Sequence, residues 1–191
     1  MMVTNVMVVG VGGQGSLLAS KLLGHVVMTK GYDVKVSEVH GMSQRGGSVV
    51  TYVRFGEKVY SPVIDKGEAD YIISFETLEA ARYLEFLKPG GRVIVNAQEI
   101  DPMPVITGAA TYPEGLLDKM KETGAQVDAM DALDIACEAG SPKATNIVLM
   151  GRFSKYFDGI TEEEWMKSLE ACVPAKFLEL NKKAFQLGRD N

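Results

Sequence analysis

A strand, a glycine-rich turn and a helix follow one another at the start of the chain. The apolar run at residues 5–9 leads into the sequence GVGGQG at residues 10–15, and apolar side chains then recur at helical spacing over residues 15–30. Another strand pattern follows at residues 33–37. This order predicts a βαβ unit with parallel strands joined by a right-handed crossover, which requires a sheet covered by helices.

The rest of the pattern extends this unit into an α/β fold. Strands are predicted at residues 48–55, 58–60, 69–74, 92–96 and 125–130. Helices are predicted at residues 76–87, 114–122, 141–156 and 175–187, and a capping box at Thr161 predicts the start of another helix. Gly56-Glu57 predicts a hairpin turn between the first two of these strands. We therefore expect a three-layer α/β/α Rossmann-like fold with a mixed, mainly parallel sheet and C-terminal helices. Residues 1–191 are expected to form a single domain, with an α/β core over about residues 1–140 and a helical segment over about residues 141–191.

The glycine turn fits the GxGxxG pattern in its proper context, after a strand and before a helix. Glycines there leave room for a phosphate to approach the amides at the helix N-terminus. The alternative is a tight turn that binds nothing. Ser16-Leu17 stands where a P-loop requires Lys followed by Ser or Thr, so nucleotide hydrolysis is not supported.

The densest polar segment is the loop at residues 37–48, which follows the second strand. It is expected beside the glycine turn, because ligands bind at the carboxyl edge of an open α/β sheet. Arg45 next to Gly46-Gly47 offers a cation and free amides to an anion, while an exposed loop with glycines serving turns remains the alternative. Glu38 stands where a dinucleotide fold places its ribose-binding carboxylate, which keeps nicotinamide binding open. A solvated carboxylate is the simpler interpretation of Glu38.

Composition narrows the function further. The chain has 25 acidic and 20 basic residues, a net charge of −5 and 46% hydrophobic residues. The basic residues are scattered, which argues against nucleic acid as a partner, and no apolar stretch is long enough to predict a membrane span. The two cysteines, Cys137 and Cys172, are far apart and are expected to be buried, inert thiols, so no cluster or zinc site is predicted in this chain. We expect a cytoplasmic protein.

Two motifs resemble a known family. GVGGQG at residues 10–15, followed by EVHGMSQRGGSV at residues 38–49, is similar to the gamma-type subunit of 2-oxoacid:ferredoxin oxidoreductases, and the second motif is closest in wording to the small subunit of indolepyruvate ferredoxin oxidoreductase. The similarity continues through YSP at residues 60–62, KPGG at 88–91 and NIVLMG at 146–151, so it covers nearly the whole chain.

The resemblance implies a complex that oxidatively decarboxylates a 2-oxoacid to an acyl-coenzyme A and passes electrons to ferredoxin. Thiamine diphosphate and iron–sulfur clusters would be held by partner subunits, coenzyme A would be a cosubstrate, and this chain would hold no cofactor by itself. No catalytic residue is assigned to it. Carried over at matching positions, the residues implied in ligand or subunit contact are Gly10, Gly12, Gly13, Gln14, Gly15, His40, Gln44 and Arg45.

Other functions stay open at this stage. A free-standing nicotinamide-dependent oxidoreductase would explain the turn and Glu38 but lacks a convincing proton donor. A nucleotide or acyl-coenzyme A binding module without partners would explain the turn alone. The wording of the motif favours an aryl pyruvate as the substrate only through the resemblance. Aromatic side chains that would pack in the core or meet a partner subunit are Phe153, Tyr156, Phe157, Trp165, Phe177 and Phe185.

Overall fold

The computed structural model describes residues 3–38 and 46–191. Within them the strands are β1 (Thr4–Val11), β2 (Asp33–Glu38), β3 (Ser48–Gly56), β4 (Ala69–Ser74), β5 (Leu87–Asn96) and β6 (Gln126–Met130). The helices are α1 (Ser16–Thr29), α2 (Thr77–Arg82), α3 (Met103–Ile106), α4 (Leu116–Glu122), α5 (Ala132–Ala139), α6 (Thr145–Ser154), α7 (Glu162–Cys172) and α8 (Leu178–Asp190). Short 3₁₀ turns precede β5, α6 and α8.

The strands form one six-stranded sheet in the order β2-β3-β1-β4-β5-β6. Strands β1, β4, β5 and β6 run parallel, whereas β3 is antiparallel to both β1 and β2. The sheet is therefore mixed and mainly parallel, as the sequence predicts. Because both faces of β1 are covered, its successive apolar side chains enter opposite cores: Val6 and Val8 enter one, and Met7 and Val9 the other.

Helices cover the two faces of the sheet unequally. Side chains of α1, α5, α6, α7 and α8 form the larger core on one face, while α2 and α4 supply the smaller core on the other. Helices α6 and α8 touch backbone to backbone, since a Cβ on Gly151 or Gly188 would overlap a carbonyl oxygen of the facing helix. This contact ties α8 to α6, and α6 in turn packs against β5 of the sheet.

The predicted hairpin is wrong. Residues 57–60 form no strand, because β3 pairs along its length with β1 on one side and β2 on the other. Both edges of β3 are occupied, so the local Gly56-Glu57 signal has no strand edge left to fold against. Instead, the Val59 amide donates to the Asp33 carboxylate at 2.9 Å.

Two predicted boundaries and one predicted burial are also corrected. The helix predicted over residues 76–87 is helical only over Thr77–Arg82 and then passes through a 3₁₀ turn, Leu84–Phe86. The strand predicted at residues 92–96 begins at Leu87, where it pairs with Ala69 of β4. Cys172 is buried, but Cys137 is exposed on α5.

Most aromatic side chains of the terminal helices belong to the core. Phe153, Trp165 and Phe185 are fully buried and contact one another as tilted or edge-on rings. Phe177 differs, because its side chain is 49% exposed just before α8. Among the described residues, no helix combines the length and the apolar character needed to cross a bilayer.

Candidate functional site

The carboxyl edge of the sheet collects the polar groups that the strands leave there. The glycine turn follows β1, Phe75-Glu76 follows β4, and the segment with Gln98 follows β5. In an open α/β sheet this edge is where ligands bind. The geometry of these three loops therefore defines the candidate site.

Gln14 connects the glycine turn to the neighbouring strand. Its Oε1 accepts a hydrogen bond from the Val11 amide at 2.7 Å, and its Nε2 donates to the carbonyl oxygen of Phe75 at 3.2 Å. A Cβ on Gly10 would lie 2.8 Å from that Oε1. The side chain of Gln14 thus shapes the turn, and Gly10 makes room for it.

Gly15 joins the starts of two helices that are far apart in sequence. It caps α1 with a φ of +89°, and a Cβ there would lie 2.6 Å from the Nδ2 of Asn146. Asn146 in α6 donates to the Gly15 carbonyl oxygen at 3.1 Å. The N-terminal ends of α1 and α6 consequently lie side by side at the edge of the sheet.

Asn96, which the sequence analysis did not single out, organises the same edge at the end of β5. It is fully buried; its Nδ2 donates to the Phe75 carbonyl oxygen at 3.1 Å, and its Oδ1 accepts from the Ala132 amide at 3.0 Å. Gln14 and Asn96 therefore share one acceptor. The sequence did carry one signal, a polar amide side chain at the end of an apolar strand. The hydrogen-bond partners of Asn96 could not be inferred from the spacing of residues along the chain.

Glu76 is a buried carboxylate that holds the loop after β5. It accepts hydrogen bonds from the amide of Glu79 at 2.7 Å, from the amide of Ile100 at 3.1 Å, and from the hydroxyl of Tyr112. Burial, followed by the bond to Glu76, raises the pKa of the Tyr112 phenol above its ordinary value. Tyr112 therefore stays protonated and donates at neutral pH.

A second buried carboxylate, Glu79, meets the residue that ends the polar loop. It accepts from the hydroxyl of Ser48 and pairs with the Nε of Arg82 at 3.2 Å. Burial raises the pKa of Glu79 above its usual value, although the bond from Ser48 and the charge of Arg82 oppose the shift. Ser48, Glu79 and Arg82 form part of the lining of a small recess of about 220 Å³ at the edge of the sheet.

The larger cleft at this edge carries no negative charge among the described residues. Its volume is about 440 Å³, and its lining comprises Gly13, Gln14, Gly15, Gln98, Ile100, Leu133, Pro142, Lys143 and Thr145. Lys143 is the only charged residue in this lining, and in the part of the chain that the structure describes it makes no ion pair. With the N-terminal ends of two helices beside it, the cleft favours an anion.

The structure brings some of the sequence-predicted site residues together. Gly10, Gly12, Gly13, Gln14 and Gly15 form the turn, and the Gly12 amide donates to the carbonyl oxygen of Gly47 at 2.8 Å. The end of the polar loop therefore does lie beside the turn. His40, Gln44 and Arg45 lie outside the described residues. No cluster of three or more potential metal ligands occurs in residues 3–38 and 46–191.

Glu38 ends β2, as expected for a ribose-binding carboxylate, but its position in the sheet differs from that of a dinucleotide fold. Strand β3 lies between β2 and β1. At about 4.8 Å between strands, Glu38 is roughly 10 Å to the side of the strand that leads into the glycine turn. This separation disfavours the nicotinamide alternative.

Comparison with known proteins gives a consistent family match. A family model described as "Pyruvate ferredoxin/flavodoxin oxidoreductase" matches residues 5–191. The chain is 47% identical over 190 residues to a protein named indolepyruvate oxidoreductase subunit IorB from Thermococcus kodakarensis, an alignment that covers 96% of this chain and 93% of that relative.

Solved structures show the same fold. The gamma subunit of a keto/oxoacid ferredoxin oxidoreductase from Geobacter sulfurreducens superimposes with a TM-score of 0.73 at 23% identity, covering 98% of this chain and 96% of that one. A 2-oxoglutarate:ferredoxin oxidoreductase from Magnetococcus marinus, solved with 2-oxoglutarate, coenzyme A and succinyl-CoA bound, gives a TM-score of 0.73 at 20% identity. The match covers 100% of this chain and 31% of that longer one.

Proposed function

The chain belongs to the pyruvate ferredoxin/flavodoxin oxidoreductase family, and from that premise we propose that it is the non-redox, gamma-type subunit of a 2-oxoacid:ferredoxin oxidoreductase complex. The reaction converts a 2-oxoacid and coenzyme A to an acyl-coenzyme A and CO₂, while an electron pair passes to ferredoxin and a proton is released. The name of the relative from Thermococcus kodakarensis supports an aryl pyruvate as the substrate.

In this proposal the partner subunits supply the redox chemistry. Thiamine diphosphate would be held there and would supply the chemistry of decarboxylation, and iron–sulfur clusters there would accept the electrons. The residues of this chain bind and orient coenzyme A. His40, Gln44 and Arg45 are proposed to contact the ligand or the partner subunit.

The assignment of coenzyme A as the ligand rests on the cleft at the glycine turn, whose described lining contains no acidic residue. Coenzyme A brings a pyrophosphate, whose charge suits Lys143 and the N-terminal ends of α1 and α6. The polar residues Gln98 and Thr145 also line the cleft. A carboxylate in this lining would repel the ligand, and the described lining has none.

The test uses the complex purified anaerobically with this chain, assayed for coenzyme A-dependent reduction of ferredoxin with a panel of 2-oxoacids. We expect aryl pyruvates to be the fastest substrates. In the Lys143→Ala variant we expect KM for coenzyme A to rise about tenfold, the cost of losing a hydrogen bond to a charged group. KM for the 2-oxoacid is expected to stay unchanged.

Lys155→Ala is the matched control, because Lys155 is an exposed lysine just after the opposite end of α6. Equal KM values for coenzyme A in both variants would contradict the ligand assignment. A chain that purifies alone and supports no ferredoxin reduction would contradict the subunit assignment and favour an autonomous binding module.

A further inference from the structure

Helix α1 is apolar on nearly every side, although one of its faces is exposed. Of its 14 residues, Lys21 is the only one with a permanent charge. Buried side chains such as Leu22 and Val26 face the core, yet Leu17 and Met28 on the opposite side are each 63% exposed. A helix that is apolar all round is normally covered on all sides. The exposed face of α1 therefore has the composition of a contact surface.

The exposed apolar side chains lie on one stripe along α1. Leu17, Lys21, Gly24 and Met28 recur at intervals of four, three and four residues, which is the spacing of a seam between two helices. Leu17 stands in the first turn and Met28 in the last, about 16 Å apart at a rise of 1.5 Å per residue. These two side chains therefore mark the ends of the stripe.

Strand β2 continues this surface at the edge of the sheet. Its outer edge pairs with no strand in residues 3–38 and 46–191, and Val36 in its middle is 47% exposed. Gly24 of α1 lies against Val36, since a Cβ built on Gly24 would come 3.9 Å from the Cγ2 of Val36. The stripe and the strand edge thus form one mainly apolar surface, the α1–β2 face, which comprises Leu17, Lys21, Gly24, Met28 and Val36.

The α1–β2 face is complementary to itself under a two-fold rotation. When β2 pairs antiparallel with β2 of a second copy about Val36, this valine lies opposite its own copy and Lys35 lies opposite Ser37. A register centred on Lys35 would instead place like charges opposite each other, which is destabilising. Charge therefore selects the register that brings the exposed valines together.

The same rotation brings the two copies of α1 to packing distance. Helix α1 packs against both β2 and β3. With strands about 4.8 Å apart, a helix above the boundary of β2 and β3 lies roughly 10 Å from its copy, which is a distance at which helices pack. The helices run antiparallel about an axis close to Gly24, because Gly24 lies against Val36. Leu17 of one copy is then set beside Met28 of the other.

We propose that the α1–β2 face joins two copies of this chain in a symmetric dimer, in which two sheets of six strands become one sheet of twelve. The occupant is a second copy because the face matches itself in charge, strand register and helix spacing. No residue of the α1–β2 face lines the cleft beside the glycine turn. The dimer is therefore independent of coenzyme A binding.

The experiment is sedimentation equilibrium of the full chain and of variants charged at the two ends of the stripe. We expect the wild type to show a monomer–dimer equilibrium. Leu17→Glu and Met28→Lys should each weaken dimerisation at least about tenfold, because a symmetric dimer places the new charge against an apolar side chain twice. Both variants should fold, since an acid in the first turn and a base in the last turn stabilise a helix.

The double variant Leu17→Glu/Met28→Lys tests the antiparallel arrangement itself. The new carboxylate of one copy then faces the new ammonium group of the other, so dimerisation should return to within about threefold of the wild type. Within one chain the two groups are too far apart to pair. A double variant that dimerises as weakly as the single variants would overturn the two-fold arrangement.

Met103→Lys is the matched control, because Met103 is 65% exposed and lies outside the α1–β2 face. It should dimerise like the wild type, and an equal loss in Met103→Lys and Met28→Lys would overturn the assignment to this face. A wild-type chain that stays monomeric would overturn the dimer. If Leu17→Glu and Met28→Lys then also abolish copurification with the redox subunits, the face contacts those subunits instead.

Discussion

Charges are treated in opposite ways in two regions of the sheet, the surroundings of Asp128 and the cleft at the glycine turn. On the face that α6 covers, Asp128 in the middle of β6 accepts two hydrogen bonds from Arg152, at 2.6 and 2.8 Å, and one from the hydroxyl of Tyr156, toward the amino edge, at 2.6 Å. Lys88 pairs there with Asp70. These charges are satisfied within the fold, so this region stabilises the protein.

Around the glycine turn at the carboxyl edge, neutral groups satisfy one another and one charge at the cleft is left without an ion pair among the described residues. Gln14 and Asn96 share the Phe75 carbonyl oxygen, while Lys143 borders the cleft without an ion pair among the described residues. With the ligand assignment that we propose, the difference teaches that stability and binding are assigned to different regions of one sheet. A charge that folding has already paired contributes rigidity, whereas an unpaired one at a cleft is available to a ligand.

The largest expected effect is in the surroundings of Asp128. Asp128→Ala leaves the mostly buried guanidinium of Arg152 without its carboxylate, and we expect the free energy of unfolding to fall by about 3 kcal/mol. The measurement is urea denaturation with an unchanged m-value. Asp118→Ala is the control, because its pair with Lys121 is exposed and should cost less than about 0.5 kcal/mol. Similar midpoints for the two variants would break the comparison.

A smaller loss of stability is expected at the carboxyl edge. Gln14→Ala removes the acceptor of the Val11 amide and a donor to Phe75, which should lower the free energy of unfolding by about 1–2 kcal/mol. The same variant should weaken pyrophosphate binding, because the turn loses its shape. Gln186→Ala, which removes only a contact with Asp190 inside α8, serves as the control. A wild-type midpoint together with wild-type binding in Gln14→Ala would refute this role.

The smallest predicted effect is a pH dependence that belongs to the surroundings of Asp128. Burial raises the pKa of Asp128, but hydrogen bonds from Arg152 and Tyr156 outweigh it and hold the pKa below its usual value. The resulting stabilisation is fully present above the unfolded pKa of about 3.9 and is lost as pH falls through the lower folded value.

Urea midpoints measured between neutral pH and about pH 3 test this dependence. They should fall less steeply in Asp128→Asn than in the wild type. Part of the decline should remain, because ion pairs hold the pKa values of Asp33 and Glu164 at about 2. An acid decline of equal slope in both proteins would show that Asp128 does not contribute.

The sequence correctly predicted those helices, strands and turns whose stabilising contacts are made between residues close together along the chain. Strand β4 spans the predicted residues Ala69–Ser74, and the capping box at Thr161 forms as expected, with its hydroxyl accepting from the Glu164 amide. The turn from β1 into α1 also follows from its glycines and flanking periodicity. In each case the decisive contacts lie within a few residues along the chain.

Signals that compete with long-range pairing were misleading. The hairpin at Gly56-Glu57 failed because β3 found partners on both sides. The helix predicted to reach residue 87 ended at Arg82, because Leu87 pairs with Ala69 and starts a strand. Asn96 and Glu76 were missed at the site, since their partners lie on other loops and no spacing in the sequence predicts them.

The sequence by itself determined the α/β class, the glycine turn at the start of α1 and the family, because periodicity, turn chemistry and motif wording are written along the chain. Only the tertiary structure decided that β3 separates β2 from β1, that Gln14 and Asn96 meet at one carbonyl oxygen, and that Lys143 borders the cleft beside the glycine turn. The physical reason is that strand order and side-chain partners follow from burying two cores at once, which couples residues more than a hundred positions apart, such as Gly15 and Asn146.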